Sequence, residues 1–369
     1  MTRLPGLLLM IPLPPPVHGA ALMSRQIAES RLLRKHFRVR VLPLRFTTSL
    51  ASLGRFSPIK AFRTIIITLK LLKELVFYRP ALVYVVVTPG GYSHYRDLSW
   101  AWLLRLFRIR RLCSVRERGF QEASGRFAHW RMRQLFHGAH AMVTSPLVKS
   151  DISPWVAPER LHAVANGIPD LPEHERRRTP LKPPMLLFLS NLMINKGVFV
   201  LLDAAARLRK RGLAFQLVLA GSCGRDIRVD DLKKRIVDLQ LTSRVKIIGA
   251  VDEPGKSLLL RQAAMLVFPT LKEAFGNVLL EAMRIGLPVV ATREGSIPWI
   301  VSEGKSGLLC RKSDAPDLAT CIERLLINSE LRAQVGRAGR QRFLENFTIE
   351  QFENRLLRAL RIALGKKAC

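Results

Sequence analysis

Apolar residues in this chain gather into short, mostly continuous runs separated by longer stretches of helical periodicity. GLLLMI, RVRVLPL, ALVYVVV, RRLCSV and AMVTS recur in the first half, and MLLFLS, FQLVLAG, VKIIG, MLVFP and LPVVAT in the second. Strands covered by helices on both faces read this way, because both sides of the pleat are buried. The regular alternation of such runs with helical patterns predicts an α/β protein with a parallel sheet in each half. The Pro-rich, charged stretch PDLPEHERRRTPLKPP, residues 169–184, separates the two series and is expected to be a linker. The expected organisation is a Rossmann-like domain over 1–170, a linker over 171–184 and a second Rossmann-like domain over 185–346. A C-terminal helix in 347–369 would pack back on the first domain. Its periodic Phe352, Leu356, Leu357 and Leu360 demand a partner surface.

The segment FPTLKEAFGNVLLEAMRIGLPVVAT, residues 268–292, carries the most chemical information. A strand ends in a loop bearing Glu273, and Gly276 opens a helix that runs to about Ile285. Gly286 and Pro288 then stop it. Amides at Gly276, Asn277 and Val278 would point out of that helix start and favour phosphate oxygens. Glu281, four residues beyond Asn277, would lie about 6 Å down the helix. That is the reach from a pyrophosphate to ribose hydroxyls, whose protons a carboxylate can accept. Glu273 would face the sugar of the same nucleotide.

The stretch EAFGNVLLE, with the GLPVVAT and GSIPWIV continuations, resembles the Glu-x7-Glu motif of the retaining GT-B glycosyltransferases of family 4. The likeness extends over nearly the whole chain. It implies a GT-B fold, with two Rossmann-like domains whose parallel sheets face each other across a cleft. It also implies that Glu273 contacts donor-sugar hydroxyls, that Phe275, Gly276, Asn277 and Val278 hold the diphosphate, and that Glu281 binds ribose. SNLMINKGVFVLL is similar to the family's G-R-L-x-x-x-K-G segment; Lys196 is present, but Asn191 stands in place of the arginine. PPPVHGAA resembles the family's first glycine loop, with Gly19 the point of close backbone approach and His18 an acceptor candidate. In RERGF, Arg118 occupies the position where many relatives carry a histidine. A guanidinium cannot act as a base, so Arg118 is expected to bind a phosphate of donor or acceptor. Arg116, His94 and Asp97 are further acceptor candidates. Glu273, Lys196 and Arg118 are the expected catalytic set.

Charge sharpens the picture. The chain has 60 Lys and Arg against 28 Asp and Glu, a net +32. Residues 1–150 hold 25 basic and 5 acidic side chains, so +20 sits there. An anionic partner fits such a field, whether phosphorylated ligand, lipid headgroup or nucleic acid. A uniformly basic composition is the bland alternative. Two stretches, KAFRTIIITLKLLKELVFY (60–78) and WAWLLRLFRIRR (100–111), mix cations with aliphatic and Trp residues as interfacial helices do, although sheet-packing helices can read alike.

No run reaches the roughly 18 apolar residues of a membrane span. The expected location is cytoplasmic, peripheral on the inner face of the plasma membrane. Five cysteines without a C-x-x-C pair suggest neither zinc nor a disulfide framework, and no D-x-D metal motif occurs. The reading is therefore a metal-independent enzyme without cofactor. It would move a sugar from a UDP- or GDP-linked donor to a lipid-linked or saccharide acceptor beside an anionic membrane, and would not bind nucleic acid. A sugar-nucleotide epimerase of the same fold, a glycogen-synthase-like polymerase and a basic nucleic-acid-binding protein stand as alternatives. No helix-turn-helix or RNA-binding aromatic motif supports the last, and no G-x-G-x-x-G after the first strand supports an oxidoreductase.

Overall fold

The computed structural model describes residues 4–15, 19–46, 57–122, 125–224 and 226–365. The chain divides into two compact units, residues 1–166 with 350–369, and residues 167–349.

The first unit runs β1 (Gly6–Ile11), α1 (Gly19–Glu29), α2 (Arg31–His36), β2 (Arg38–Pro43), α3 (Pro58–Lys73), β3 (Leu82–Val87), α4 (Gly91–Leu106), β4 (Arg110–Val115), α5 (Arg126–Phe136), β5 (His140–Val143) and β6 (Leu161–Ala163). Its sheet is wholly parallel, in the order β2-β1-β3-β4-β5-β6. All six residues of β1 are buried, as expected of an inner strand covered on both faces. The steps β2 to β3, β3 to β4 and β4 to β5 all advance the same way across the sheet. Right-handed crossovers therefore lay α3, α4 and α5 on one face, and the reversed step from β1 to β2 puts α1 on the other. Trp100 of α4 donates its indole N–H to Thr68 Oγ1 of α3 at 2.8 Å, tying that layer together.

The second unit runs α6 (Glu173–Arg176), β7 (Met185–Leu189), α7 (Val198–Lys210), β8 (Gln216–Ala220), α8 (Val229–Asp238), β9 (Val245–Gly249), α9 (Glu253–Gln262) and β10 (Met265–Phe268). It continues with α10 (Asn277–Arg284), β11 (Val289–Thr292), α11 (Ile297–Ile300), β12 (Leu308–Cys310), α12 (Ala315–Ile327) and α13 (Ser329–Asn346). Its sheet is again parallel, in the order β12-β11-β10-β7-β8-β9. Successive strands move outward from β7 in one direction and from β10 in the other, so the order reverses between these two neighbours. In open α/β sheets the crevice at the carboxyl ends of such a pair is where ligands bind.

The last helix, α14 (Ile349–Ala363), buries Phe352, Leu356, Leu357 and Leu360. It belongs to the first unit almost entirely, and Arg361 Nη2 lies 3.4 Å from His36 Nδ1 there.

The stretch read as a linker is not a free tether. The amides of Thr179 and Leu181 donate to the carbonyls of Arg261 and Gln262 at 3.0 and 3.1 Å, and Arg178 donates to the carbonyls of Gly286 and Ala263. Backbone and guanidinium bonds thus strap residues 178–181 along the second unit, and the chain leaves the first unit earlier, after Asn166.

Candidate functional site at the carboxyl ends of β7 and β10

Three loops meet at the reversal of strand order in the second unit. The loop after β7 carries Asn191 to Lys196, the loop after β10 carries Pro269 to Gly276, and the loop after β11 carries Arg293 to Ser296. Backbone bonds lock the first two together. The carbonyl of Asn195 accepts from the amides of Leu271 and Lys272 at 2.8 and 3.2 Å, and from Thr270 Oγ1 at 3.2 Å. Thr292 Oγ1 in turn donates to the carbonyl of Thr270 at 2.5 Å. Glycine is required where these loops touch, since a Cβ on Gly197 would sit 1.9 Å from the Pro269 carbonyl oxygen, and one on Gly295 would sit 2.0 Å from that of Glu273.

This framework brings Lys196 and Glu273 together, 77 positions apart in sequence, with Nζ donating to Oε2 at 2.8 Å. Their side chains keep 20% and 18% of their exposure, so the pair is half-buried rather than sealed in the core. Glu273 Oε1 accepts from the amides of Ala274 and Phe275 at 3.1 and 3.4 Å. That contact modifies an expectation: the Phe275 amide is turned to the carboxylate, and the Phe275 ring is buried against Phe347 at a centroid distance of 6.5 Å.

Gly276 caps α10 with φ 92° and ψ 66°, a left-handed conformation that suits glycine, and so offers the first-turn amides no side chain. Asn277 and Val278 form that first turn, half-buried, while Leu279, Leu280, Ala282 and Met283 anchor the opposite face of α10 in the core.

Glu281 lies one turn further along α10, also half-buried. Lys256 Nζ of α9 donates to Glu281 Oε1 at 3.0 Å and to Glu253 Oε1 at 2.9 Å. Burial works against the charge on Lys256, but Glu281 and Glu253 more than offset it, and its pKa is raised. Sequence reasoning missed this lysine. VDEPGKS shows only a helix start, with Asp252 capping the Gly255 amide at 2.9 Å, and nothing local announces a partner 25 residues away. At Asn191, where the resemblance leads one to expect an arginine, the side chain is exposed.

The remaining candidates lie in the first unit. Gly19 opens α1, while His18 lies outside the described residues. Arg116 and Arg118 sit in the loop after β4. There the Asp151 carboxylate accepts from the amides of Gly119 and Gln121, each at 3.1 Å, and fixes the turn. Arg118 is half-buried. Arg116 donates to Tyr84 Oη at 2.9 Å and to Ser114 Oγ at 3.3 Å, and its buried Nη1 has no hydrogen-bond partner.

Two of the acceptor candidates, Asp97 and His94, are buried. Asp97 is 2% exposed, takes the amide and hydroxyl of Thr88 on Oδ2 at 2.9 and 2.7 Å, and pairs with Arg96 through Oδ1. Its carboxylate is consumed in fixing the end of β3 to α4. His94 is fully buried, with Nδ1 3.1 Å from the Thr88 carbonyl; burial lowers its pKa, so the ring stays neutral at pH 7. Both side chains contact Thr88 just after β3.

Among the described residues no three His, Cys, Asp or Glu side chains gather as metal ligands. Cys113, Cys310 and Cys321 are buried free thiols and Cys223 is a half-buried one; Cys369 lies outside the described residues.

Residues 171–342, nearly all of the second unit, match the family Glycosyl transferases group 1. Over 207 residues the chain is 29% identical to a D-inositol 3-phosphate glycosyltransferase of Jonesia denitrificans, covering 52% of this chain and 49% of that one. Over 182 residues it is 29% identical to a lipopolysaccharide core biosynthesis glycosyltransferase of Rhizobium meliloti, covering 49% and 51%. The chain thus spans about half the length of these curated relatives. Among solved structures, a sucrose-phosphate synthase from Thermosynechococcus elongatus superposes with a TM-score of 0.78 at 21% identity, over 98% of this chain and 99% of that one. The fold is GT-B.

Proposed function

We propose that this chain is a retaining, metal-independent glycosyltransferase. It takes a sugar from a UDP- or GDP-linked donor and places it on a lipid-linked or polysaccharide acceptor at the inner face of the plasma membrane. The observation that carries the reading is the meeting of Lys196, Glu273 and the α10 start at the strand-order reversal of the second unit. An anion and a cation 2.8 Å apart there match the two halves of the bond to be broken. The carboxylate accepts hydroxyl protons from the sugar. The ammonium and the dipole of α10 stabilise negative charge on the departing diphosphate. Glu281, one turn on, is the ribose ligand, and Lys256 holds its carboxylate in place.

In the step itself the bond from the anomeric carbon to the phosphate oxygen breaks first. The acceptor oxygen then bonds to that carbon on the same face, and its proton passes to the leaving diphosphate. No dedicated protein base is needed, consistent with Arg118 at the position where the family resemblance leads one to expect a histidine. Arg118 binds a phosphate of donor or acceptor. The matched family and the glycosyltransferase names of the curated relatives support the transfer chemistry, and the lipopolysaccharide relative supports an envelope acceptor.

The test is a thermal-shift and NMR screen against UDP-, GDP- and ADP-sugars, followed by turnover in the presence of chelator. Glu273→Gln should lower turnover by about 10²–10³-fold. The melting temperature should stay close to wild type, because a partly exposed pair contributes little to stability. Complete loss of turnover with EDTA, or product release without any acceptor, would sink the proposal; the second outcome would indicate an epimerase.

A further inference from the structure

The layer formed by α3, α4 and α5 has an outer surface that an ordinary sheet-covering layer lacks. On α3 the buried residues Ile67 and Leu71 face the core, while Ile59, Phe62, Ile66 and Leu69 are spaced three and four apart on the other side. Those four are 63%, 64%, 37% and 60% exposed. This helix is apolar on both faces, whereas a helix at a protein–water boundary needs only one. The π-helical turn that follows, Glu74–Tyr78, adds Phe77 at 78% exposure. On α4, Trp102 and Leu106 are exposed, and on α5, Phe127 and Trp130. Trp102 and Trp130 meet edge to face at 6.2 Å, and Phe127 stacks on Trp130 at 5.7 Å, so the aromatic patch bridges the two helices.

Charge decides what covers this surface. Lys60, Arg63, Lys70 and Lys73 lie on α3, Arg105 on α4, and Arg126, Arg131 and Arg133 on α5. The acids on these helices and the turn after α3 are Glu74, paired with Arg40 at 2.9 Å, and Asp97, buried against Arg96. A protein partner large enough to hide these side chains would have to match an apolar field studded with cations. A bilayer does so without special shape: acyl chains receive the aliphatic and aromatic groups, and anionic headgroups receive Lys and Arg.

We infer that the outer face of α3, α4 and α5 is a docking surface for an anionic lipid bilayer, with Phe62, Leu69, Phe127 and Trp130 entering the acyl boundary. It rests on the membrane part of the function proposed above and is independent of the transfer chemistry.

The experiment is flotation of the full chain with phosphatidylcholine vesicles, with and without about one-third phosphatidylglycerol. Tryptophan emission and light scattering of the protein alone accompany it. The protein should float with the anionic vesicles at low salt, with blue-shifted emission, and release partly as salt rises. Phe62→Ser/Leu69→Ser and Phe127→Ser/Trp130→Ser should each weaken partitioning by roughly tenfold or more. Because these side chains are exposed, melting temperature and nucleotide-sugar binding in solution should be unchanged. Failure to float at low salt overturns the inference, as does equal flotation of both double variants. So does a concentration-dependent dimer of the wild type that either pair dissolves, which would make the face an interface between copies. Loss of nucleotide-sugar binding by the wild type itself would fault the transferase reading alone and leave the flotation result standing.

Discussion

A methyl group on Gly295 would press into the carbonyl of Glu273 at 2.0 Å, and the residue already holds φ at 54°. Gly295→Ala must therefore move the loop that aims Glu273, in addition to paying the strain of a left-handed alanine. Gly212 is the control, because it has φ 74° but nothing within 4 Å of a new Cβ. Gly212→Ala should cost about 1 kcal/mol of stability and leave kinetics intact. Gly295→Ala should reduce turnover far beyond what its loss of stability explains. Denaturant unfolding and steady-state rates on both variants decide the matter, and equal rates would remove the loop contact from the account of the site. At this scale the sequence was informative only where chemistry is local. Glu273, Gly276 and Glu281 share one nine-residue motif, whereas Lys256 and the Asp151 clamp act across 25 and more positions and have no local signature.

Among the elements, the apolar runs located ten strands; in eight of them burial on both faces leaves a strong compositional mark, while the edge strands β2 and β9 alternate exposed and more buried residues. β6 and β12 escaped, each only three residues long at the edge of its sheet. β6 nevertheless carries a titratable contact. His162 Nε2 lies 3.0 Å from His140 Nδ1 on β5, with the rings stacked at 5.3 Å. Burial, then His140 and Lys149, lower the pKa of His162 from 6.5 to about 4. Unfolding restores the higher value, so between these limits the unfolded chain binds the extra proton. The contribution of His162 to stability is thus fully present above pH 6.5 and is lost as pH falls toward 4. Thermal unfolding followed from pH 7 to 5 should show this decline, and His162→Gln should flatten it. An equally steep decline in the variant would assign the acid sensitivity elsewhere.

For the whole molecule, the alternation of elements was enough to foresee two parallel-sheet units. The boundary was harder: prolines and charges mark residues 169–184 as loop, but they do not show that backbone bonds hold part of that loop on the second unit. The return of the chain through α14 has a larger effect. Its Phe352, Leu356 and Leu360 are fully buried, and at about 1.5–3 kcal/mol each they are worth an appreciable part of a domain's net stability. A chain stopped at Thr348 should leave residues 1–166 open to protease while residues 167–348 persist as a resistant fragment. Limited proteolysis with mass spectrometry reads this directly, and a stable fragment from 1–166 would contradict it.

The same return sets an order of events during synthesis. The second unit has all its residues translated while the first still lacks its final helix. At about 5–20 residues per second, the 197 residues from Gly167 to Ala363 take roughly 10–40 s to polymerise. Through that interval the nascent first unit carries an uncovered greasy seat for α14, a natural place for a chaperone to wait.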